Sequence, residues 1–262
     1  MEDEIKLLAD SVSYETPSNY VSGRITEYDI KSANVSMLKK EGMISDGDYQ
    51  YLMSLPKNFR EQDIGKLIRD KGTEYYNTIA NGIKEAKLQF LTRNNISPMS
   101  VVRVANDAIY VNSFVDCTHL QVSDTVRFVP KASYNVMMRL NSDVSVYVNI
   151  DKDFEIDVIG INNDLLFLHQ PFMEFICNLI YNIERVNIHD ALKYFNDFYH
   201  AYLDKELSIE YYREFNSYSM YRHKSGKYLL SSVNSIDDID NNYNLYLLRN
   251  IFGILITMMN IK

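Results

Sequence analysis

Tryptophan is absent from this chain of 262 residues, so its aromatic packing has to rest on 21 Tyr and 12 Phe. Cysteine is nearly absent as well. Cys117 and Cys177 are too few for a disulfide framework and suit a reducing compartment. Cys117 and His119 stand close together, but the further ligands of a tetrahedral zinc site are missing at suitable spacing. With 9 Gly and 5 Pro, the chain has little room for Gly-punctuated repeats, loop-rich scaffolds or long flexible linkers. Basic charge is also short: the formal net charge is −8, so the chain as a whole is no electrostatic binder of polynucleotides. Contact with nucleic acid has to come from local basic patches, metal ions or a partner subunit. Long hydrophobic runs are missing too. The longest, residues 251–259, falls far below the ~20 apolar residues of a spanning helix and reads as a terminal helix packed into a core. The acidic start Met1-Glu2-Asp3-Glu4 lacks the apolar segment of a signal peptide. These exclusions predict no membrane partner and a cytoplasmic protein. The surplus of Asn, Ile, Tyr and Lys is what an AT-rich genome encodes, such as that of a phage or a low-GC bacterium, which would make the compartment a host cytoplasm.

What is present is the balance of a folded protein, with 46% hydrophobic and 24% charged residues. Residues 20–30 carry the aromatic and β-branched side chains of a strand. Helix is expected over 36–43, a turn or helix cap at Ser45-Asp46-Gly47-Asp48, and helix again from about 61 to 93. There Ile64, Leu67, Ile68, Tyr75, Ile79, Ile83, Ala86 and Phe90 recur at spacings of three and four. Gly72 and Gly82 are the candidate breaks, and Asn94-Asn95 with Pro98 end the run. Residues 101–104 and 109–111 flank Ala105-Asn106-Asp107 in the outline of a hairpin. Alternating segments at 126–128, 136–140, 144–150 and 154–158 continue the β region. Beyond Pro171 the chain reads as helix over 172–184, 189–204, 208–216 and 244–260, interrupted by an acidic exposed loop at 235–242. The predicted fold is α+β, an antiparallel sheet with flanking helices over 1–168 and a helical region over 169–262.

Two carboxylates stand out by position. Asp29 ends the first strand, in Tyr28-Asp29-Ile30-Lys31-Ser32-Ala33-Asn34-Val35-Ser36, and Asp107 sits at the hairpin turn. Taken singly, each is the kind of turn carboxylate that solvates readily. If their strands are neighbours, the pair converges and can hold metal ions that clamp a phosphoryl transfer.

At this point the chain resembles the palm domain of template-directed DNA polymerases. Asp29, Ser32 and Ser36 are similar to the family B motif A, Asp-x-x-Ser-Leu-Tyr-Pro-Ser. The apolar strand, turn and second apolar strand around Asp107 resemble motif C, with one acid in Asn106-Asp107-Ala108 where the families have further polar groups. Asn77-Thr78-Ile79-Ala80-Asn81-Gly82 resembles the family A element Asn-x-Pro-Ile-Gln-Gly, and Lys131-Ala132-Ser133-Tyr134 the family B Lys-x-x-Tyr. The resemblance covers roughly residues 20–140. It implies a palm-like sheet with Asp29 and Asp107 as catalytic ligands of Mg²⁺ or Mn²⁺, and the C-terminal helices in the place of a thumb. It further implies nucleotide contacts from Ser32, Asn34, Lys66, Lys71 and Asn77, with Asn34 where polymerases place the bulky residue that rejects ribose.

From 126 to 142 three cations, Arg127, Lys131 and Arg139, occur with no acid and are interleaved with Phe128 and Tyr134. Arg127, Lys131, Tyr134 and Arg139 are therefore the expected nucleic-acid contacts, through phosphate pairing and stacking on primer–template. A second patch of this kind spans Tyr221 to Tyr228. Two functions fit this reading. One is nucleotidyl transfer to a primer 3′-OH by two-metal catalysis; the other is a non-enzymatic phage or mobile-element interaction protein, or a degenerate polymerase subunit with a protein partner.

Overall fold

The computed structural model describes residues 2–152, 154–216, 221–222, 228–229 and 243–260. The chain divides into two compact units, residues 1–17 with 24–133 and residues 18–23 with 134–262. Both are mixed α+β.

The first unit opens on helix α1 (Glu2–Asp10), whose first turn holds Glu2, Asp3 and Glu4. Carboxylates there complement the positive end of the helix dipole. Ile5, Leu8 and Ala9 form its buried stripe, which packs on α5 (Thr73–Arg93). Short strand β1 (Ser13–Glu15) follows, then β2 (Tyr20–Ile30), which belongs to this unit from Arg24 onward. Four helices come next: α2 (Ala33–Lys40), α3 (Asp46–Ser54), α4 (Lys57–Lys71) and α5. The Ser45-to-Asp48 segment starts α3 with a reciprocal capping box. Gly72, with φ of 80°, separates α4 from α5, while Gly82 stays inside α5. A Cβ on Gly82 would lie 2.9 Å from the Met37 sulfur, so glycine here lets α2 and α5 approach closely.

Strands β3 (Val101–Ala105) and β4 (Ala108–Val111) form the expected hairpin, turning at Asn106 with φ of 46°. Asn tolerates this left-handed conformation better than most residues. β4 lies antiparallel to both β2 and β3, with Asp29 opposite Ala108 and Val104 opposite Ile109. The result is a split β-α-β arrangement in which β2 and β3 run parallel on either side of β4. Their C-terminal ends therefore reach the same edge. Behind the sheet, Phe90 of α5 sits between Tyr28 and Phe128, with ring centroids 5.3 and 4.4 Å away. Each fully buried ring of this kind contributes about 2–3 kcal/mol.

The second unit contains Tyr20–Gly23 and the later part of β5 (Phe128–Arg139), then β6 (Ser145–Asn149) and β7 (Glu155–Ile159). These pair as antiparallel neighbours, with Val136 opposite Val148 and Val146 opposite Val158. The chain's sheet order is β1-β3-β4-β2-β5-β6-β7. Where four separate alternating segments were expected, the first two merge into the single 12-residue β5. Helices α6 (Gln170–Tyr181) and α7 (Ile188–Leu203), two-residue strands β8 (Tyr221–Arg222) and β9 (Tyr228–Leu229), and α8 (Tyr243–Asn260) complete the unit. The expected helix over 208–216 is only a 3₁₀ turn, Ile209–Tyr212. The predicted division at 168/169 follows the change from strand to helix patterns, whereas the compact units part inside β5. The acidic loop expected at 235–242 lies outside the described residues, as does the middle of the 221–228 patch.

Phe and Tyr build this second core, as the lack of Trp demands. Phe175 stacks on Phe198 at 3.7 Å, and Phe172 packs against both Phe175 and Phe215. Asn244 is fully buried and fully used: its Oδ1 accepts from the Phe215 N–H, and its Nδ2 donates to the Tyr211 and Arg213 carbonyls. Such a satisfied polar hub fixes one arrangement of the chain around it.

His169, 1% exposed, meets the Phe215 ring edge-on at 5.3 Å. Burial pushes its pKa down to about 4, and Arg213 acts in the same direction. The unfolded imidazole takes its proton first as pH falls, so this contribution to stability is complete above about pH 6.5 and drains away toward pH 4. The total is roughly 3 kcal/mol. Urea unfolding of the parent and His169→Gln at pH 7.5 and 4.5 should show a steeper acid loss in the parent. Parallel losses would remove His169 as the cause.

Candidate active site at the edge of the first unit

The edge reached by the ends of β2 and β3 is where the sequence-predicted carboxylates lie. Asp29 is the penultimate residue of β2, and Asp107 is in the β3–β4 turn, its carbonyl accepting from the Ile30 N–H at 3.2 Å. Both line one cavity of about 470 Å³. Its wall includes Lys31, Asn34, Lys57 and Arg60, with one further acid, Glu61.

The local backbone holds this edge firmly. The Lys31 N–H donates to the Arg127 carbonyl at 2.9 Å, extending the ladder one residue past β2. Ser32 then turns the chain in the left-handed region, φ 51° and ψ 50°, to start α2. Buried Ser36 closes the turn by donating its hydroxyl to the Lys31 carbonyl at 2.9 Å. On the hairpin side, the Asn106 N–H donates to the Val12 carbonyl at 2.9 Å.

Electrostatics distinguishes Asp29 from an ordinary turn residue. Burial pushes the Asp29 carboxyl up to about 6, and the negative charges of Asp107 and then Glu27 push the same way. Lys131 and Lys57 oppose the shift. Lys131 is placed to do so: its ammonium lies 3.0 Å from the buried Glu27 carboxylate and 3.9 Å from that of Asp29. Strand alternation puts Glu27 and Asp29 on one face of β2, away from Tyr28 and the helices. Among the described residues, no group of three or more His, Cys, Asp or Glu is arranged to hold a metal ion.

The remaining expected site residues are dispersed. Ser32 and Asn34 line the Asp29–Asp107 cavity. Lys66, Lys71 and Asn77 are exposed and absent from its lining; Lys66 instead approaches Asp63 at 3.3 Å. The reason is helical phase. The first turn of α4 carries Lys57 and Arg60 to the cavity; Lys66 falls on the opposite side of the helix, and Lys71 stands at its far end. The signal for Lys57 and Arg60 was Pro56, which marks the helix start just before them.

The expected nucleic-acid contacts divide in the same way. Arg127 and Lys131 are exposed in the first unit. Tyr134 and Arg139 belong to the second. Tyr134 is 5% exposed, packs on Tyr147 at 5.4 Å and contacts the Asp157 carboxylate, so it serves the core and has no face open to a base.

A residue that sequence patterning did not single out lies behind Asp107. Lys87 of α5 is 1% exposed, and its ammonium donates to the Ser11 carbonyl at 2.6 Å. It lines a second cavity of about 330 Å³ together with Lys84, Asn34, Asn106 and Asp107. Burial first, then Lys84, pushes its pKa down to about 8, while Asp10 and Asp107 oppose. A lysine on the buried stripe of an amphipathic helix was the sequence signal. Asn34 and Asp107 thus border both cavities.

Residues 14–262 match a family model described as Bacteriophage PBS1 gene 130 protein. No curated protein matches the chain. Among the described residues, no helix is long and apolar enough to cross a membrane.

Proposed function

The chain belongs to that phage protein family, and we propose that it works on nucleic acid as a reduced polymerase-like palm. The carrying observation is convergence: a split β-α-β topology brings Asp29 and Asp107 to one edge, beside a wall of Lys57, Arg60 and Lys31. The proposed reaction is nucleotidyl transfer from a nucleoside triphosphate to a primer 3′-OH, in which the primer oxygen bonds to the α-phosphorus, its proton is lost to solvent and pyrophosphate leaves.

The donor set suits Mg²⁺ or Mn²⁺, hard cations for which one or two carboxylates suffice when substrate phosphates and waters complete the shell. Such an ion, bound there, would lower the charge barrier at the transferring phosphorus and favour deprotonation of the attacking hydroxyl. The chain's own groups do the positioning. Asp29 and Asp107 would hold the cation, Lys57 and Arg60 would take phosphate charge, and Asn34 would stand beside the sugar. Positioning and charge neutralisation are most of what this chemistry needs.

A second reading rests on Lys131. Its contacts with Glu27 and Asp29 already offset part of the negative charge, as in a non-catalytic family member that keeps the fold and acts through a protein partner. Primer extension with Mg²⁺ or Mn²⁺ on the purified chain separates the two. The polymerase reading expects extension that disappears in Asp29→Asn and Asp107→Asn. No extension by the parent on DNA or RNA templates would leave the non-catalytic reading standing.

A further inference from the structure

Lys87 has no part in the proposed transfer, yet it places a positive charge in the interior of the first unit. A buried ammonium is costly unless it is paired and fully hydrogen-bonded. It carries three N–H donors. Among the described residues, the Ser11 carbonyl is the one acceptor it meets, at 2.6 Å. Asp10 and Asp107 reach it with opposite charge, but among the described residues neither forms an ion pair with it. Two donors of a side chain only 1% exposed are therefore left over beside open space.

That space is the second cavity, whose volume of about 330 Å³ lies at the lower end of small-ligand sites. Lys84 lines it too. It precedes Lys87 by one turn of α5, a spacing that makes the two residues neighbours on the helix surface. Its charge is felt at Lys87, so two like charges share one wall, and an anion between them relieves the repulsion. Asp107 is the one acid among the described lining residues, a single negative charge against two positive ones. Asn34 and Asn106 are exposed and complete the polar side. Backbone contacts keep this wall in place. The Ser11 carbonyl accepts from Lys87 and the next carbonyl, of Val12, from the Asn106 N–H at 2.9 Å, which joins α5 to the hairpin turn.

We infer that this second cavity binds a phosphate group between Lys84 and Lys87. A phosphate dianion matches two ammoniums where a carboxylate matches one, and lysine serves phosphate as a point charge with rotatable donors. The phosphate oxygens accept the two spare N–H groups of Lys87, which converts an unpaired buried charge into a paired one. The Asn34 and Asn106 amides are donors for the oxygens that remain. Free inorganic phosphate and the phosphate of a nucleotide share this chemistry. The site needs neither a metal ion nor the transfer proposed at the first cavity.

Titration calorimetry on the full chain tests this, with inorganic phosphate and a nucleoside monophosphate as probes. EDTA is present throughout, so that no divalent cation bridges a phosphate to the Asp29–Asp107 edge. Lys87→Met should weaken the tighter probe about tenfold or more, the loss of one charge-assisted contact. Lys84→Gln should act in the same direction. Lys84 is only half-buried, so this variant decides the matter if Lys87→Met does not fold, and thermal melts verify folding of both. Lys152→Gln removes an exposed lysine that lines neither cavity and should leave the affinity unchanged. Tighter binding of the monophosphate would assign a nucleotide as the source; tighter binding of inorganic phosphate would assign the free ion. Absence of binding by both probes, or equal binding by the parent and the well-folded Lys84 and Lys87 variants, overturns the inference. A loss confined to Lys57→Gln would place the phosphate in the first cavity and overturn it as well. Because no metal takes part, neither result decides whether Asp29 and Asp107 bind one.

Discussion

Gly160→Ala should cost the second unit about 4 kcal/mol or more, placing it in the exceptional tail of single substitutions. Gly160 follows β7 with φ of 93°, a region that L residues rarely enter. A Cβ there would stand 1.8 Å from the Asp143 carbonyl oxygen and 2.8 Å from its carbon. Both are backbone atoms, so no rotamer change relieves the overlap. Relief requires β7 to peel from the start of β6, where Ser145 pairs with Ile159 and Val146 with Val158. Gly42 supplies the control: its φ is 68°, but nothing lies within 4 Å of the added methyl. Gly42→Ala carries only the conformational cost, about 1–2 kcal/mol. Urea denaturation of the two variants therefore separates strain from collision. Equal losses would show that the close approach at Gly160 yields cheaply and that its backbone contact does not hold the β6–β7 pair.

Local pattern made most of the elements readable. Aromatic and β-branched content located β2 over its whole length, and the three-to-four spacing from Ile64 to Phe90 located α4 and α5 from about residue 61, with Gly72 as one of two candidate breaks. Other elements carry only weak local signals. α1 buries only Ile5, Leu8 and Ala9, too short a stripe to stand out beside its three leading acids. β1 has three residues and exists because β3 offers it an edge, a long-range fact with no local signature. β5 looked like two segments because Lys131, Ala132 and Ser133 interrupt the apolar alternation. Pairing with its neighbours carries the strand through that stretch. Lys87 was concealed by the same logic in reverse. A charged residue on a buried stripe is accommodated by one carbonyl, Ser11, that is 76 positions away in the chain.

The carboxylate pair was legible because both residues announce their backbone context, one at a strand end and one at a hairpin turn. The cationic wall was not. Which cations of α4 line the cavity with Asp29 depends on where the helix begins: its first turn supplies Lys57 and Arg60, while Lys66 and Lys71, further along the same helix, stay outside the lining. Tyr134 shows the complementary limit. Aromatic residues interleaved with cations describe a stacking platform and a two-faced strand equally well. Burial of one face, which placed Tyr134 against Tyr147, decides between them.

Millimolar Mn²⁺ should raise the melting temperature of the parent, and neither Asp29→Asn nor Asp107→Asn should respond. Without metal, the ionised Asp29 carboxylate is a net cost. Its folded pKa of about 6 lies above the unfolded value of 3.8, so its stabilising share is present below about pH 4 and lost as pH rises through 6. At pH 7.5, Asp29→Asn removes a charge crowded by burial, by Asp107 and by Glu27, and leaves Lys131 paired with Glu27. That variant should therefore melt no lower than the parent in the absence of metal. A cation bound between Asp29 and Asp107 reverses the repulsion. At a hundredfold excess over its dissociation constant it stabilises by about 2.7 kcal/mol, or roughly 5–10 °C for a chain of this size. In primer extension the same substitutions remove charge contacts made in the transition state, for which losses of about 10²–10³-fold per contact are typical. The two readouts fail in different ways. A metal-dependent shift without extension assigns the pair to cation binding alone and retains the non-catalytic reading. Metal responses in the Asn variants equal to that of the parent remove the pair from metal binding and leave Glu61, which lines the same cavity, and Glu27, whose charge reaches Asp29, as the carboxylates to test next.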